Sequence, residues 1–373
     1  MSKKIVKVLM VIPSFSPIVG GAEKQLEGLA NSLISINHEI TVVTRSFPGT
    51  LKREFIFGTF VVRLARGKFR IFFLLNLLCY IFLNSKKYDV IHVHTLNSPA
   101  IISAFAGKIA NIPVIVKVTR SGKESQISRY YETRMGRLLF SALSAFVTSY
   151  IAITDDVKNE LITLGVKEKS IVKIPNGVAI QDTKLIKNKN QVGFKYVYVG
   201  RLILRKRVDW LINAFSKLNL TEDNQLIIVG SGPELNNLKI LTANLQLNEY
   251  VNFMGELNNN KVINVLMTSN VFVLPSDSEG MSNALLEGMA CKNIVIAANI
   301  PSNRQLIKNE SNGLLFTTQD ELTDCLLKAK KFNELSNKMV ENALIDIKEK
   351  YSFQVIAASY RKLYNYLISH KTS

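Results

Sequence analysis

Short apolar runs alternate along the chain with longer stretches in which apolar residues recur at spacings of three and four. Runs of the first kind are typical of buried parallel strands, and the second pattern is typical of amphipathic helices. A first series of strands is predicted at residues 5–13, 40–44, 89–94, 113–119 and 150–154. After a polar stretch at 181–191, a second series is predicted at residues 194–200, 225–230, 250–255, 271–275 and 293–298.

Two series of this kind predict an α/β protein built from two doubly wound, Rossmann-like domains. We expect an N-terminal domain at residues 1–187, a C-terminal domain at 188–355, and a final helix at 356–373 that could cross back to the N-terminal domain. Open α/β sheets bind ligands at the carboxyl ends of their strands. Two such domains that face each other therefore predict a binding site in the cleft between them.

The composition is typical of a globular protein of the reducing cytoplasm. Of the 373 residues, 47% are hydrophobic, which is sufficient for two cores. The three cysteines, Cys79, Cys291 and Cys325, lie far apart, so neither a disulfide framework nor a zinc site is expected. The apolar stretch 5–13 is interrupted by Lys7, which indicates a buried first strand rather than a signal peptide.

Positive charge is concentrated in the first half of the chain. Residues 1–190 contain 27 lysines and arginines against 12 aspartates and glutamates, a net charge of +15, whereas the remainder has 20 against 17, a net charge of +3. This asymmetry suggests an anionic partner, which could be a membrane surface, a phosphorylated substrate or nucleic acid. Nucleic acid is not expected, since the sequence has no helix-turn-helix, zinc-finger or RNA-recognition signature.

Residues 70–83 form the most hydrophobic stretch of the chain. Its apolar part, Ile71 to Leu83, has thirteen residues, whereas a membrane-spanning helix needs about 20. Two interpretations remain open, a buried crossover helix and a helix that lies in a membrane interface. The second would use the flanking cations Arg63, Arg66, Lys68, Arg70, Lys86 and Lys87.

Two cations follow the predicted strand that ends at Gly200. Arg201 comes directly after it, and Lys206 lies five residues further on, just before a predicted helix. At the carboxyl end of a strand they could bind a diphosphate, Arg201 by its planar fork and Lys206 as a compact charge. Arg205 and Arg207 compete for the same role, and the alternative is an ordinary solvated turn.

Two carboxylates stand in the sequence SDSEGMSNALLEGMA, residues 276–290. Glu279 and Glu287 are eight positions apart, with Glu279 in a loop and Glu287 in the helix that follows. Free N–H groups from Met281 to Asn283 would attract an anion, and the two acids would then face hydroxyl groups of a ribose and a sugar. The alternative is one charge at a helix N-terminus and one exposed helix acid.

Glycine-rich turns do not form a nicotinamide-binding fingerprint. Gly20 and Gly21 precede a predicted helix, whose first N–H groups attract phosphate, but the spacing GxGxxG is absent. It is absent as well from GSGPEL, residues 230–235, where Leu235 occupies the position of the third glycine.

The combination of motifs resembles the retaining glycosyltransferases of family 4, which have the GT-B fold. SEGMSNALLEGMA is similar to the E-x7-E signature of that family. The resemblance covers residues 7–355, and the supporting motifs, in chain order, are GGAE, KIPNGV, VGRLILRKRVDWLI, IVGSGPEL, VNFMGEL and SNGLLF.

The resemblance implies a role for each matched residue. Arg201 and Lys206 would bind the donor diphosphate, and Glu279 would hold hydroxyls of the donor sugar, so that these three residues carry catalysis. Glu287 would hold the ribose hydroxyls. Backbone at Gly21, Gly280, Met281, Ser282 and Asn283 would approach sugar and phosphate. Glu256 and Leu257 would lie beside the nucleobase.

The resemblance also implies an activity. A sugar would pass, with retention, from a UDP- or GDP-sugar to a glycan or lipid-diphosphate-linked acceptor in cell-surface polysaccharide synthesis. The nucleotide sugar would be a co-substrate, with no resident cofactor and no metal, consistent with the lack of a DxD motif. The basic first domain would hold the acceptor and dock on the anionic inner face of the cell membrane. The alternative is a GT-B-fold sugar phosphorylase or nucleotide-sugar epimerase.

Some positions depart from the family pattern. Thr119 and Arg120 stand where many members have a histidine, and Gln305 stands where relatives often have glutamate, which could affect donor preference. Arg120 or Lys123 could bind phosphate instead. His92 and His94 share one strand face but lack an evident third metal ligand, so a structural or acceptor-side role is expected for His94.

Overall fold

The computed structural model describes residues 5–370 except 19, 65–69, 121, 123–126, 182–192 and 332–333. The chain divides into two compact units, Met1–Gly177 together with Phe353–Ser373, and Val178–Ser352. The division falls after Gly177, within the sequence PNGV, whereas the sequence predicted a domain limit at residue 187. The predicted polar linker at 181–191 lies, apart from Gln181, outside the described residues.

Strands and helices alternate along both units. The strands are β1 (Lys7–Val11), β2 (Glu39–Arg45), β3 (Arg53–Ile56), β4 (Thr59–Leu64), β5 (Val90–Val93), β6 (Val114–Val118), β7 (Ser149–Ala152), β8 (Ile171–Lys173), β9 (Phe194–Val199), β10 (Asn224–Val229), β11 (Val251–Gly255), β12 (Val271–Leu274), β13 (Ile294–Ala298) and β14 (Leu314–Phe316). The helices are α1 (Gly21–Ile34), α2 (Arg70–Leu83), α3 (Ser98–Ile109), α4 (Ser128–Tyr131), α5 (Arg134–Ser144), α6 (Asp155–Thr163), α7 (Val208–Ser216), α8 (Leu235–Asn244), α9 (Asn259–Thr268), α10 (Asn283–Ala290), α11 (Pro301–Arg304), α12 (Gln319–Lys330), α13 (Glu334–Asp346) and α14 (Phe353–Ser369).

The first unit is built on a sheet with the strand order β3-β4-β2-β1-β5-β6-β7-β8. All neighbouring strands are parallel except β3 and β4. The chain winds outward from β1 in both directions, so the strand order reverses between β1 and β5. This confirms the predicted doubly wound class for this unit.

The second unit has a sheet with the order β11-β10-β9-β12-β13-β14, and all its pairs are parallel. Here the order reverses between β9 and β12, which are hydrogen-bonded neighbours. Every residue of β12 is buried, which explains its uninterrupted apolar sequence VFVL. The fold class predicted from the sequence is therefore confirmed for both units.

The final helix belongs to the first unit. Helix α14 packs on α1, and the ring of Phe353 lies against Gly28 and Gly177, where a side chain in place of either glycine would overlap it. The buried Tyr360 and Tyr364 of α14 join the core of the first sheet. The predicted start at residue 356 differs from the observed division by three residues, since Phe353 already packs with the first unit.

Candidate functional site

The second unit brings together two loops that are far apart in the sequence. One follows β9 and the other follows β12, and these strands are neighbours at the reversal of strand order. Ligands of open α/β sheets bind at this position, outside the carboxyl ends of the strands. Lys206 Nζ donates there to Glu279 Oε1 across 73 positions of sequence. Their side chains are only 13% and 10% exposed, so the pair is largely withdrawn from water.

Arg205 ties the two loops to each other. Its guanidinium donates to the carbonyl of Ser278 at 2.8 Å, and the N–H of Asp277 donates to the carbonyl of Arg205 at 2.9 Å. Lys206 follows Arg205 as the last residue of a short 3₁₀ turn. Both hydrogen bonds join Arg205 to the two residues just before Glu279, so they hold the backbones of Lys206 and Glu279 close to each other.

Arg207 contacts Trp210 and Asp277, whereas Lys206 contacts Glu279. It adopts a left-handed backbone with φ of 48° and directly precedes α7. Its guanidinium lies 4.3 Å from the ring centroid of Trp210 and 3.5 Å from Asp277 Oδ2. Arg205 and Arg207 are thus engaged in holding the loops, whereas sequence alone left them as rivals of Lys206.

Arg201 is exposed, and its side chain forms no hydrogen bond or ion pair with any other residue that the structure describes. Its carbonyl accepts a hydrogen bond of 3.0 Å from the hydroxyl of the buried Tyr198. Burial raises the pKa of Tyr198, and the charge of Glu279 raises it further. Tyr198 is therefore a permanent hydrogen-bond donor that fixes the backbone from which Arg201 projects.

The segment GSGPEL holds the loop after β9 by backbone contacts. Leu202 donates to the carbonyl of Ser231 at 2.9 Å, and Glu234 donates to the carbonyl of Leu202 at 3.1 Å. Gly230 has φ of +138°, and a Cβ there would overlap the carbonyl oxygen of Gly200. These glycines allow the close packing of the loops after β9 and β10.

The E-x7-E segment folds as a loop followed by a helix. Ser282 caps α10, since its hydroxyl accepts from the N–H of Leu285 at 3.3 Å. Glu279 lies in the loop before this cap, and Glu287 lies in the second turn of the helix, half-buried. Met281 and Ser282 are buried, while Gly280 and Asn283 are half-buried. Glu279 is therefore at the reversal of strand order with Lys206, and Glu287 follows in α10, the helix after β12.

The predicted nucleobase residues follow β11 on the same sheet. Glu256 is exposed, and its carboxylate accepts a hydrogen bond of 3.4 Å from the hydroxyl of Ser231. Leu257 is half-buried beside it. The loops after β9, β10 and β11 are thus continuous along one edge of the sheet.

Gly21 and the departures from the family pattern lie in the first unit. Gly21 is the exposed first residue of α1, and Glu23 in the same turn accepts a hydrogen bond from the hydroxyl of Ser14. Arg120 is exposed and Thr119 half-buried after β6, while Lys123 lies outside the described residues. The roles of these residues towards a ligand stay predictions.

His92 and His94 are buried in the core of the first unit. Their rings stack at 4.1 Å between centroids, and His92 Nδ1 is 2.8 Å from the hydroxyl of Tyr364. Burial, and after it the neighbouring Lys117, lowers the pKa of His92 well below its ordinary value. His94 is shifted in the same direction by burial, then by His92 and Lys117. Both rings are therefore neutral at physiological pH.

Lys117 is a third buried base beside these histidines. It is 3% exposed on β6 and forms no ion pair or hydrogen bond with another residue of the described part of the chain. Burial lowers its pKa from 10.5 to about 7. Unfolded Lys117 holds its proton up to about pH 10.5 and folded Lys117 only up to about pH 7, so the stability of the fold falls as the pH drops through this window.

Replacement of Lys117 by methionine is expected to stabilise the protein at pH 7. Since one pKa unit corresponds to about 1.36 kcal/mol, the upper bound of the gain is on the order of 5 kcal/mol. The gain should shrink as the pH rises towards 10, because the wild-type amine is then neutral in both states. Urea unfolding at pH 7, 8.5 and 10 measures it, with the exposed Lys169→Met as the matched control. A gain independent of pH, or none, would show that Lys117 is not buried as an unpaired amine.

Two family models match consecutive parts of the chain. Residues 19–182 match the model described as Glycosyltransferase Family 4, and residues 180–345 match Glycosyl transferases group 1. The two matches meet near the division between the units. The chain is a family 4 glycosyltransferase of the GT-B type. Membership of the family rests on both units and not on the E-x7-E segment alone.

Two proteins with similar sequences are also named as glycosyltransferases. The chain is 30% identical over 257 residues to an uncharacterized glycosyltransferase of Methanocaldococcus jannaschii, covering 66% of this chain and 64% of that protein. It is 29% identical over 260 residues to the UDP-Gal:alpha-D-GlcNAc-diphosphoundecaprenol alpha-1,3-galactosyltransferase of Escherichia coli, covering 65% of each. The chain thus spans just under two thirds of the length of these two relatives.

The fold is shared with a protein of known structure. HepE from Anabaena, crystallised in complex with UDP, superposes with a TM-score of 0.79 at 19% identity, covering 97% of this chain and all of that one. At this identity the likeness establishes the GT-B fold alone. Within the described residues, no helix of this glycosyltransferase is long and apolar enough to cross a bilayer.

Several residues around the site were not predicted from the sequence. Tyr198, Trp210 and Ser278 hold the loops in place but occupy positions where the sequence shows only a strand, a helix and a turn. Lys117 could have been noticed in the sequence, since it is the single charged residue in the otherwise apolar predicted strand at 113–119. Its burial without a partner was visible only in the structure.

Proposed function

We propose that this glycosyltransferase transfers a sugar, with retention, from a UDP- or GDP-sugar to a glycan or lipid-diphosphate-linked acceptor. The observation that carries the proposal is the buried pair of Lys206 and Glu279 at the reversal of strand order in the second sheet. The Escherichia coli relative supports it, since its name specifies a UDP-sugar and a diphosphoundecaprenol-linked acceptor. HepE, which was crystallised with UDP, supports a nucleotide diphosphate at this fold.

Lys206 is the residue that would meet the leaving group. The bond between the anomeric carbon and the β-phosphate oxygen breaks, so negative charge develops on the phosphate and positive charge on the sugar ring. The ammonium of Lys206, the free guanidinium of Arg201 and the N–H groups at the start of α10 would stabilise that anion. No resident cofactor or metal ion is proposed.

Glu279 would hold the donor sugar. In the described structure the carboxylate of Glu279 accepts a hydrogen bond from Lys206. When Lys206 binds the phosphate instead, hydroxyl groups of the sugar would donate to the carboxylate oxygens. The acceptor oxygen then bonds to the anomeric carbon on the face from which the phosphate leaves. The acceptor proton passes to the departing phosphate oxygen, which gives retention without a protein nucleophile.

The location proposed for the reaction is the inner face of the cell membrane, with the basic first half of the chain towards the acceptor. The alternatives of a sugar phosphorylase or a nucleotide-sugar epimerase gain no support from the relatives, which are named as glycosyltransferases.

A thermal-shift panel of UDP, GDP and ADP tests the donor site. A ligand at 100 times its dissociation constant stabilises a protein by about 2.7 kcal/mol, which is readily seen in melting temperature. We expect UDP or GDP to stabilise the protein and ADP to have little effect. Release of the selected nucleotide from its sugars, in the presence of lipid-linked acceptors, then measures transfer. Equal absence of effect for all three nucleotides would remove the proposal.

A further inference from the structure

Helices α2, α3 and α5 lie side by side on one face of the first sheet. α2 packs on α3, and α3 packs on α5. The three helices connect β4 to β5, β5 to β6 and β6 to β7, so the chain crosses the sheet in the same direction each time. Right-handed crossovers in one direction place their helices on one face. α1 and α14, which pack on each other, take the other face.

The outer surface of these three helices is apolar. Six of the exposed apolar side chains, two on each helix, are 43–66% exposed, and we call these six the outer apolar face. They are Phe72, Leu75, Phe105, Ile109, Leu138 and Leu139. α2 buries a second stripe at Phe73, Leu77 and Ile81. A helix that is apolar on both sides is ordinarily enclosed on both sides, so the outer apolar face needs a cover.

The charges on these three helices have one sign. None of the three helices contains an aspartate or a glutamate. They contain Arg70, Lys108, Arg134 and Arg137, and two further lysines, Lys86 and Lys87, follow α2. Lys108 and Arg134 are exposed. If a second copy of the chain covered this face, the cations of the two copies would repel each other. An anionic bilayer instead provides phosphates for the cations and an apolar interior for the apolar side chains.

We propose that the outer apolar face lies in the interface of an anionic bilayer. This inference rests on the proposed function, since it assigns the surface by which the enzyme would reach a lipid-linked acceptor. Apolar side chains of interfacial helices lie about 5–10 Å into the boundary between headgroups and acyl chains, and cations meet the lipid phosphates. Both interpretations of residues 70–83 then apply, because α2 is a crossover helix on one side and a bilayer contact on the other.

Vesicle flotation of the full-length protein tests the surface. Wild type should bind vesicles of phosphatidylcholine with phosphatidylglycerol at least tenfold more tightly than vesicles of phosphatidylcholine alone. The triple variant Phe72→Ser, Phe105→Ser, Leu138→Ser changes one exposed residue on each helix, and we expect its binding to fall at least tenfold. The matched control, Ile240→Ser with Ile345→Ser, changes residues of the second unit that are 60% and 49% exposed, and it should bind like wild type. Melting curves of all three confirm folding.

Three outcomes would overturn the assignment. They are equal binding to neutral and anionic vesicles, unchanged binding of the triple variant, and a lipid-free dimer in light scattering that the triple variant abolishes. The nucleotide thermal shift is recorded on the same samples. A retained shift without vesicle binding removes the docking surface alone, whereas vesicle binding without any nucleotide shift counts against the proposed function.

Discussion

Replacement of Lys206 by alanine is expected to lower the turnover of the nucleotide-sugar donor by a hundredfold or more. Removal of one preorganised donor that meets developing negative charge costs about 10²–10³ in rate in other enzymes. The side chain of Lys206 is 13% exposed, and its backbone is held in the turn between Arg205 and Arg207. Water would therefore be a poor substitute for the lost ammonium group. Release of nucleoside diphosphate from the donor, with calorimetry of nucleotide binding, measures both consequences.

The matched control is Lys217→Ala. Lys217 lies in the same unit and forms an ion pair of 2.7 Å with Asp320, but its side chain is 50% exposed. Exposed pairs of this kind contribute little to stability, because water screens their charges. The control should keep wild-type turnover. If Lys206→Ala also kept turnover within threefold of wild type while remaining folded, Lys206 would not be part of the diphosphate site.

Glu279→Gln is expected to separate recognition of the sugar from recognition of the nucleotide. The amide keeps the shape of the side chain but loses the charge that makes a carboxylate a strong acceptor for hydroxyls. Lys206 loses the negative charge of its partner in the free protein and remains available for phosphate. Affinity for the nucleoside diphosphate should therefore be kept or increased, while kcat/KM with the nucleotide sugar should fall by about tenfold to a thousandfold.

The two variants are expected to differ in their affinity for the nucleoside diphosphate. Lys206→Ala should weaken the diphosphate itself, and Glu279→Gln should weaken only the sugar-bearing donor. Glu341→Gln serves as control, because Glu341 pairs with Lys292 at 2.7 Å on the surface of the same unit. Loss of diphosphate affinity in Glu279→Gln equal to that in Lys206→Ala would mean that the two residues act only as a structural pair.

Most of the sheet architecture could be predicted from the sequence. All ten predicted strands form, because buried parallel strands are continuous apolar runs of sufficient length. The strands β3, β4, β8 and β14 were not predicted. β8 and β14 have three residues each, and β3 and β4 meet in a turn where Phe57 and Gly58 have φ of 48° and 78°. A phenylalanine at positive φ gives no turn signal.

The contact between Lys206 and Glu279 could not be predicted from the sequence, although both residues were predicted to belong to one site. Lys206 and Glu279 each follow a predicted strand, but they are in contact only because β9 and β12 are neighbours in the sheet. The order of the strands in a sheet cannot be predicted from the local spacing of apolar residues. The same holds for Arg205, whose contact with Ser278 exists only because the two loops leave adjacent strands. From the sequence, Arg205 and Arg207 compete with Lys206 for the same role, and the structure shows that each of the two arginines contacts other residues of the loops.

A crystal structure of the protein with the nucleotide selected by the thermal-shift panel tests the central claim most directly. We expect the β-phosphate within about 3 Å of Lys206 Nζ, the distance of a charge-assisted hydrogen bond, and the ribose diol on Glu287. Nucleotide bound away from the carboxyl edge of the second sheet, with Lys206 and Glu279 still paired to each other, would contradict it.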